Sequence, residues 1–179
     1  MKAKHLIIEG VNKTGKSSFI KDLNEIQLPF RGYYERSIRH KYHGTNFARQ
    51  ALDAQLATIV SFAKFSNENI IFDRLHLSEY VYGFVDRKYD CLREVLKYDK
   101  QLKEAGCYMI YLYDDVEKIK ERMFGQQVAE FDKERRIEKL VREFEFILQF
   151  TMLPLLCINY NDFKENKEGL AMEVNAFLG

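Results

Sequence analysis

The sequence predicts a three-layer α/β fold, a five-stranded parallel sheet flanked by helices on both faces. Three observations carry this reading. Short apolar runs alternate along the chain with stretches whose apolar positions recur every three or four residues. Strands buried on both faces read as continuous apolar runs, and helices between successive strands are the crossovers that parallel pairing needs. The 179 residues hold only two prolines, so little interrupts long helices. Hydrophobic residues are 46% and charged residues 31%, the balance of a globular chain that buries its own core.

The elements follow in order. His5 to Glu9 (HLIIE) is a central strand. Lys16 to about Ile26 places Phe19, Ile20 and Leu23 on one helical face, and Pro29 ends that helix. Arg31 to Glu35 (RGYYE) is a second strand. From Asn46 to Phe65 a helix is marked by Phe47, Leu52, Leu56, Ile59, Val60 and Ala63. Asn69 to Phe72 (NIIF) is a buried strand. Leu77 to Val85 and Tyr89 to Glu104 are helices, the second stopped by Gly106. Tyr108 to Tyr113 (YMIYLY) is a strand and Val116 to Phe124 a charged amphipathic helix. Lys133 to Phe150 is a long helix with a basic and an apolar face. Leu155 to Asn159 (LLCIN) is the last strand and Lys167 to Leu178 the last helix. No repeat or linker divides residues 1–179, so one domain is expected.

Net charge is +1, which removes the global basic field that would hold a long nucleic acid through counterion release. Three cysteines, Cys91, Cys107 and Cys157, have neither zinc-ligand nor redox spacing and read as small buried hydrophobes of a reducing compartment. No apolar run approaches the roughly 20 residues of a membrane span, and the N-terminal run is too short for a signal peptide. A cytoplasmic protein without membrane contact is expected.

The chemistry begins at Gly10–Ser17 (GVNKTGKS), which satisfies G-x-x-x-x-G-K-[ST] between an apolar strand and the start of a helix. That order has a physical reason. Glycines let the backbone curl until successive N–H groups point at one phosphate, and the new helix adds its positive end. Gly10, Asn12, Lys13, Thr14, Gly15, Lys16, Ser17 and Ser18 are therefore the candidate residues for binding ATP. Lys16 supplies a cation to the β- and γ-phosphates, and the Ser17 hydroxyl is a ligand for Mg²⁺. This motif in this context predicts the fold of a P-loop NTPase. Asn69–Asp73 (NIIFD) then has the form of a Walker B strand, with Asp73 at the carboxyl end sharing the crevice. Asp73 either completes the Mg²⁺ shell or orients an acceptor, and Arg74 faces the same crevice.

Phosphate loop and Asp-Arg strand together resemble the thymidylate kinase family of P-loop nucleoside monophosphate kinases. Phe72–Gly83 (FDRLHLSEYVYG) is similar to that family's D-R-[YH]-x-x-S-x-x-A-Y segment, with Asp73, Arg74, Ser78 and Tyr82 in register. Tyr108 to Asp114, followed by a helix with Arg122, is similar to its L-D-V strand and Arg-bearing helix. Glu130–Glu138 (EFDKERRIE) looks like the D-R-x-E part of a lid, at about 123–136. The resemblance implies ATP- and Mg²⁺-dependent phosphoryl transfer to dTMP or a related deoxynucleotide acceptor, with a homodimer as the common state. Carried over by residue, Lys16 holds ATP phosphates, Ser17 and Asp73 serve the metal, and Arg74 grips the acceptor phosphate. Arg122, Arg135 or Arg136 closes over the transferring group, with Arg136 favoured by register. Arg122 and the loop after Asn159 are the expected flanks of the adenine.

The departures from the family cluster around the acceptor. Asn12 stands for an acidic residue, Lys13 for an arginine, Leu75 for an aromatic and Gly83 for a frequent glutamine. No clean T-R-E-P segment follows the second strand, where Arg31 or Arg36 is the available substitute. Two further readings stay open. One is a deoxynucleoside kinase or a nucleic-acid hydroxyl kinase, which needs a carboxylate base from Asp73, Glu9 or Glu35. The other is a nucleotide-binding regulatory module without turnover. Arg36 to His43 (RSIRHKYH), with Tyr33, Tyr34 and Tyr42, suits single-stranded nucleic acid but reads better as a polar loop over the acceptor crevice. His76 is placed near the crevice mouth. Phe62 and Phe65 are either stacking partners for a base or core residues. Arg135, Lys139 and Arg142 share one helical face, either a lid over phosphates or a solvated surface.

Overall fold

The computed structural model describes residues 3–25, 31–34, 46–124 and 131–179. Their element order is β1 (His5–Glu9), α1 (Lys16–Glu25), β2 (Arg31–Tyr34), α2 (Asn46–Phe65), β3 (Ile70–Asp73), α3 (His76–Arg87), α4 (Leu92–Ala105), β4 (Cys107–Tyr113), α5 (Val116–Phe124), α6 (Phe131–Leu148), β5 (Leu155–Asn159), a 3-10 turn (Tyr160–Phe163) and α7 (Lys167–Leu178). The five strands form one sheet in the order β2-β3-β1-β4-β5. Every neighbouring pair is parallel. From β1 the chain goes to one side for β2 and β3 and to the other for β4 and β5. The carboxyl end of β1 is thus the switch point where such sheets open a crevice.

Alternation along the strands divides the core. Leu6 and Ile8 of β1, with Ile71, Ile110, Leu112 and Ile158, meet Phe19, Ile20 and Leu23 of α1 and Leu170, Val174 and Leu178 of α7. Ile7, Ile70, Phe72, Met109 and Tyr111 point the other way, into the larger layer made by α2 to α6. All five residues of β1 are buried, which explains why its sequence shows no polar alternation.

Several boundaries differ from the sequence reading. Helix α4 starts at Leu92 and not at Tyr89. Lys88 adopts a left-handed φ of 50° that closes α3, and the Tyr89 N–H turns back to Gly83 O at 3.0 Å. Asp90 then accepts the Leu92 N–H at 2.9 Å and starts the next helix. Helix α3 extends from His76 to Arg87, and α6 begins at Phe131 and ends at Leu148. Asp73 is the last residue of β3 itself. The reading of three buried cysteines is corrected at one: Cys91 and Cys107 are buried, but Cys157 is exposed. It lies on β5, an edge strand of the sheet among the described residues. No described helix is long and apolar enough to cross a membrane.

Candidate functional site

The loop between β1 and α1 is shaped by two glycines and one strained lysine. Gly10 has φ +142°, and a Cβ there would sit 2.3 Å from Leu112 O. Gly15 has φ +90°, and a Cβ would sit 2.6 Å from the Tyr160 ring. Lys13 takes φ 70°, a left-handed conformation that costs a non-glycine residue about 1–3 kcal/mol. Inside the loop, Thr14 Oγ1 donates to Val11 O at 2.9 Å. The Lys16 ammonium folds back to donate to Gly10 O at 2.9 Å, to Val11 O and to Thr14 Oγ1 at 3.3 Å. Lys16 is buried, and desolvation, with the nearby Arg74 charge second, pushes its pKa down to about 7. Ser17 and Ser18 are exposed on the first turn of α1.

One side of this loop faces the turn after β3. Arg74 holds a left-handed φ of 66°, and its N–H donates to Ile8 O at 2.9 Å. Its guanidinium donates to the Asn12 side-chain oxygen and lies over the Tyr82 ring, 5.5 Å from the centroid. The Asn12 N–H donates to the Tyr82 hydroxyl at 3.1 Å, closing a three-residue cluster of loop, turn and α3. Burial pushes the Tyr82 phenol up. Asp73 is half-buried, and its charge counts among those acting on Lys16. Glu9 points into the same region but is fully engaged. Its Oε1 accepts the N–H groups of Leu75 at 3.0 Å and Ser78 at 3.2 Å, and its Oε2 accepts the Ser78 hydroxyl.

The other side of the loop is closed by α5 and the end of β5. Arg122 donates to Lys13 O at 2.8 Å, to Asp114 and to Asn161 Oδ1 at 3.4 Å. Asn161 also donates to Asp114, while the Asp115 N–H reaches Asp114 Oδ1 at 2.8 Å. Burial opposes the Asp114 charge, but the Arg122 hydrogen bond and the other donors outweigh it and hold the carboxyl below its ordinary range. Beneath the loop, Tyr160 packs against Gly15 and donates its hydroxyl to Asp22 of α1. Arg122 and the Asn159–Asn161 turn thus meet at one edge of the phosphate loop.

Other expected residues lie elsewhere. Arg136 forks onto Asp86 of α3 with contacts of 2.6 and 2.7 Å, so this arginine is bound to α3. His76 is not at the crevice mouth. It is wholly buried, bonding through Nε2 to Asp99 of α4 at 2.9 Å. Asp99 also accepts from the Thr151 hydroxyl at 2.7 Å and the Met152 N–H at 2.6 Å. Burial raises the cost of its charge, and the His76 bond and its partners override that and lower its pKa. Phe62 and Phe65 are 50% and 83% exposed, so core packing does not account for them. Arg135, Lys139 and Arg142 are exposed and, with Glu138, line a shallow depression that contains no phosphate-loop residue. Glu35, Arg36, the stretch to His43, and Gly125 to Glu130 of the lid lie outside the described residues.

Among the described residues no group of three or more His, Cys, Asp or Glu gathers to hold a metal. Ser17 offers a hydroxyl and Asp73 a carboxylate, oxygen donors of the kind Mg²⁺ takes alongside water and substrate phosphates. Glu9, Asp99 and Tyr160 acquire their partners across tens of residues, so no local spacing in the sequence indicates those partners.

No protein-family model matches the chain, and no curated protein matches it by sequence. Solved structures do. The YorR protein from Bacillus subtilis, in complex with phosphorylated GDP, superposes with a TM-score of 0.72 at 18% identity, over 96% of this chain and 95% of that one. Deoxyadenosine kinase from M. mycoides, with dCMP and dCDP bound, gives 0.60 at 19%, covering 96% and 98%. Thymidylate kinase from Candida albicans gives 0.62 at 16%, covering 99% and 94%. The likeness shows that the chain has the P-loop kinase fold of these proteins.

Proposed function

We propose that the protein transfers the γ-phosphoryl group of ATP to a deoxynucleoside monophosphate, with dTMP or a related pyrimidine nucleotide first among the acceptors. The observation that supports this reading is that two basic side chains from the loop and from the turn after β3 act on each other, placed to serve as clamps for donor and acceptor phosphates. Lys16 sits in the phosphate cradle, and Arg74, whose charge acts on Lys16, is held by Asn12 and Tyr82. A monophosphate acceptor brings its own ionised oxygen, so positioning and charge neutralisation suffice without a strong base. Glu9, one of the carboxylates a hydroxyl acceptor would need, is already spent on three hydrogen bonds.

In this reading the loop N–H groups and Lys16 hold the β- and γ-phosphates. Ser17 and Asp73 would hold Mg²⁺, which would supply charge neutralisation. Arg74 leaves Asn12 for the acceptor phosphate and sets it in line. Arg122 braces Lys13 and the side of the loop where the donor base lies. A second reading, phosphorylation of a deoxynucleoside, draws on the likeness to deoxyadenosine kinase and would use Asp73 as base.

The test is transfer of labelled γ-phosphate from ATP and Mg²⁺ to dTMP, dUMP, dCMP, dGMP, thymidine, deoxycytidine and a 5′-hydroxyl oligonucleotide. Label on a monophosphate that disappears in Lys16→Ala supports the proposal and names the base. Label on a nucleoside or the oligonucleotide alone moves the activity to the second class. ATP binding without any transfer overturns both.

A further inference from the structure

Glu9 occupies a position that strand alternation reserves for an apolar side chain. Ile7, two residues earlier on the same face of β1, belongs to the core under α2 to α6. Glu9 is itself wholly buried, and an acidic group there needs partners for its lone pairs. It finds them at the start of α3. The residue before that helix, Leu75, has φ −151° and ψ −129°, and no side chain of its own segment caps the helix. The unpaired N–H groups of a first helical turn require acceptors. Glu9 Oε1 takes two of them, at Leu75 and Ser78, and Oε2 takes the Ser78 hydroxyl.

This cap comes from another strand, and its place in the chain matters. Glu9 is bonded directly to Gly10, the first residue of the phosphate loop. Its predecessor Ile8 accepts the Arg74 N–H through its carbonyl. The last two residues of β1 therefore hold Arg74 by its own N–H and the chain directly after it, across a left-handed backbone that would otherwise relax. We infer that Glu9 is a positioning residue: it fixes the Asp73–Arg74 turn relative to the phosphate loop, and so sets the separation between the donor clamp at Lys16 and the acceptor clamp at Arg74. The carboxylate touches no reacting atom and abstracts no proton.

The inference rests on the proposed function only for its kinetic part, so the experiment has two arms. The first measures amide hydrogen exchange by NMR in the full chain and needs no substrate. Glu9→Gln keeps an oxygen for Leu75 and Ser78 and turns an N–H toward the Ser78 hydroxyl. It should leave exchange at Leu75 and Ser78 within about threefold of wild type. Glu9→Ala should accelerate both by about tenfold or more, the scale of lost buried hydrogen bonds, with β4 amides unchanged. Should Glu9→Ala not fold, Glu9→Asp, one methylene shorter, and Ser78→Ala, which removes only the hydroxyl bond, replace it.

The second arm uses the acceptor identified by the transfer assay. Glu9→Gln should retain kcat/KM within about fivefold. Glu9→Ala or Glu9→Asp should lose about thirtyfold or more, chiefly as a raised acceptor KM, with the Kd for ATP alone within about threefold. A Glu9→Gln enzyme as inactive as Glu9→Ala would overturn the inference in favour of a proton-abstracting carboxylate. An equal loss of ATP affinity would overturn it in favour of general loop support, and unchanged exchange in Glu9→Ala would refute the clamp itself. If wild type transfers phosphate to nothing, the functional reading fails, while the exchange arm still decides the clamp.

Discussion

At the scale of single residues, Lys16 ties chemistry to pH. In the free protein its ammonium is buried against loop carbonyls, and desolvation brings its pKa down to about 7. A triphosphate in the cradle favours the charged form and raises that pKa. Binding of ATP should then take up protons at pH 7 and above. Calorimetry in buffers of different ionisation enthalpy reads this uptake directly. Affinity should fall as pH rises above 7, and Lys16→Met should abolish both effects. The sign for folding is the reverse. The unfolded chain keeps Lys16 protonated up to its ordinary 10.5, so between about pH 7 and 10.5 it binds more protons than the native state. The contribution of this group to the stability of the ligand-free protein therefore rises with pH across that window. For catalysis, Lys16→Met should lower kcat by about 10²–10³, the scale of one lost preorganised donor.

Gly15 belongs to the same scale. Its φ of +90° and the Tyr160 ring 2.6 Å from a would-be Cβ act together. Gly15→Ala should cost about 2 kcal/mol or more from backbone strain and overpacking. A denaturant melt would show it. Tyr160→Leu in the same background, by clearing the ring edge, should recover part of that loss.

Among elements, the buried carboxylate Asp99 ties three segments together. It joins α4 to the start of α3 through His76 and to the chain after α6 through Thr151 and Met152. Asp99→Ala strands a buried imidazole and a backbone N–H, so it should cost about 3 kcal/mol. In a chain of this length that lowers the melting temperature by about 6–12 °C in differential scanning calorimetry. The Asp86–Arg136 fork between α3 and α6 is exposed by contrast. Asp86→Asn should change stability by less than about 1 kcal/mol. A rise in transfer rate in that variant would mark Arg136 as a residue released for the lid; an unchanged rate would mark it as a strut.

At the scale of the whole molecule, the sheet protects its contents unequally. Cys91 and Cys107 lie in the larger core, while Cys157 is exposed on the edge strand. In the native protein one thiol should react at once with a disulfide reagent and two only after global opening. Cys157→Ser should remove the fast phase. Three fast thiols would contradict the core described here. Saturating ATP at 100 times its Kd should add about 2.7 kcal/mol to the native state and slow the two protected thiols further.

What the sequence determined by itself were the features whose physics is local. Apolar runs set the strands, three-to-four periodicity set the helices, and the glycine spacing around Lys16 set the phosphate cradle. Each depends on neighbours within a helical turn or a strand. The Asp-Arg pair was legible for the same reason, since a carboxylate closing an apolar strand lands at the crevice of any parallel sheet. Tertiary structure alone decided what side chains do across the fold. The sequence leaves Glu9 open as a base, and in the fold α3 brings two N–H groups to it. The sequence puts His76 at the crevice mouth, and the fold puts Asp99, 23 residues on, beside it. The sequence reads Cys157 as buried because hydropathy does not report which strand ends as an edge. Partner choice for a buried polar atom depends on which distant elements pack together, and that is a property of the folded chain.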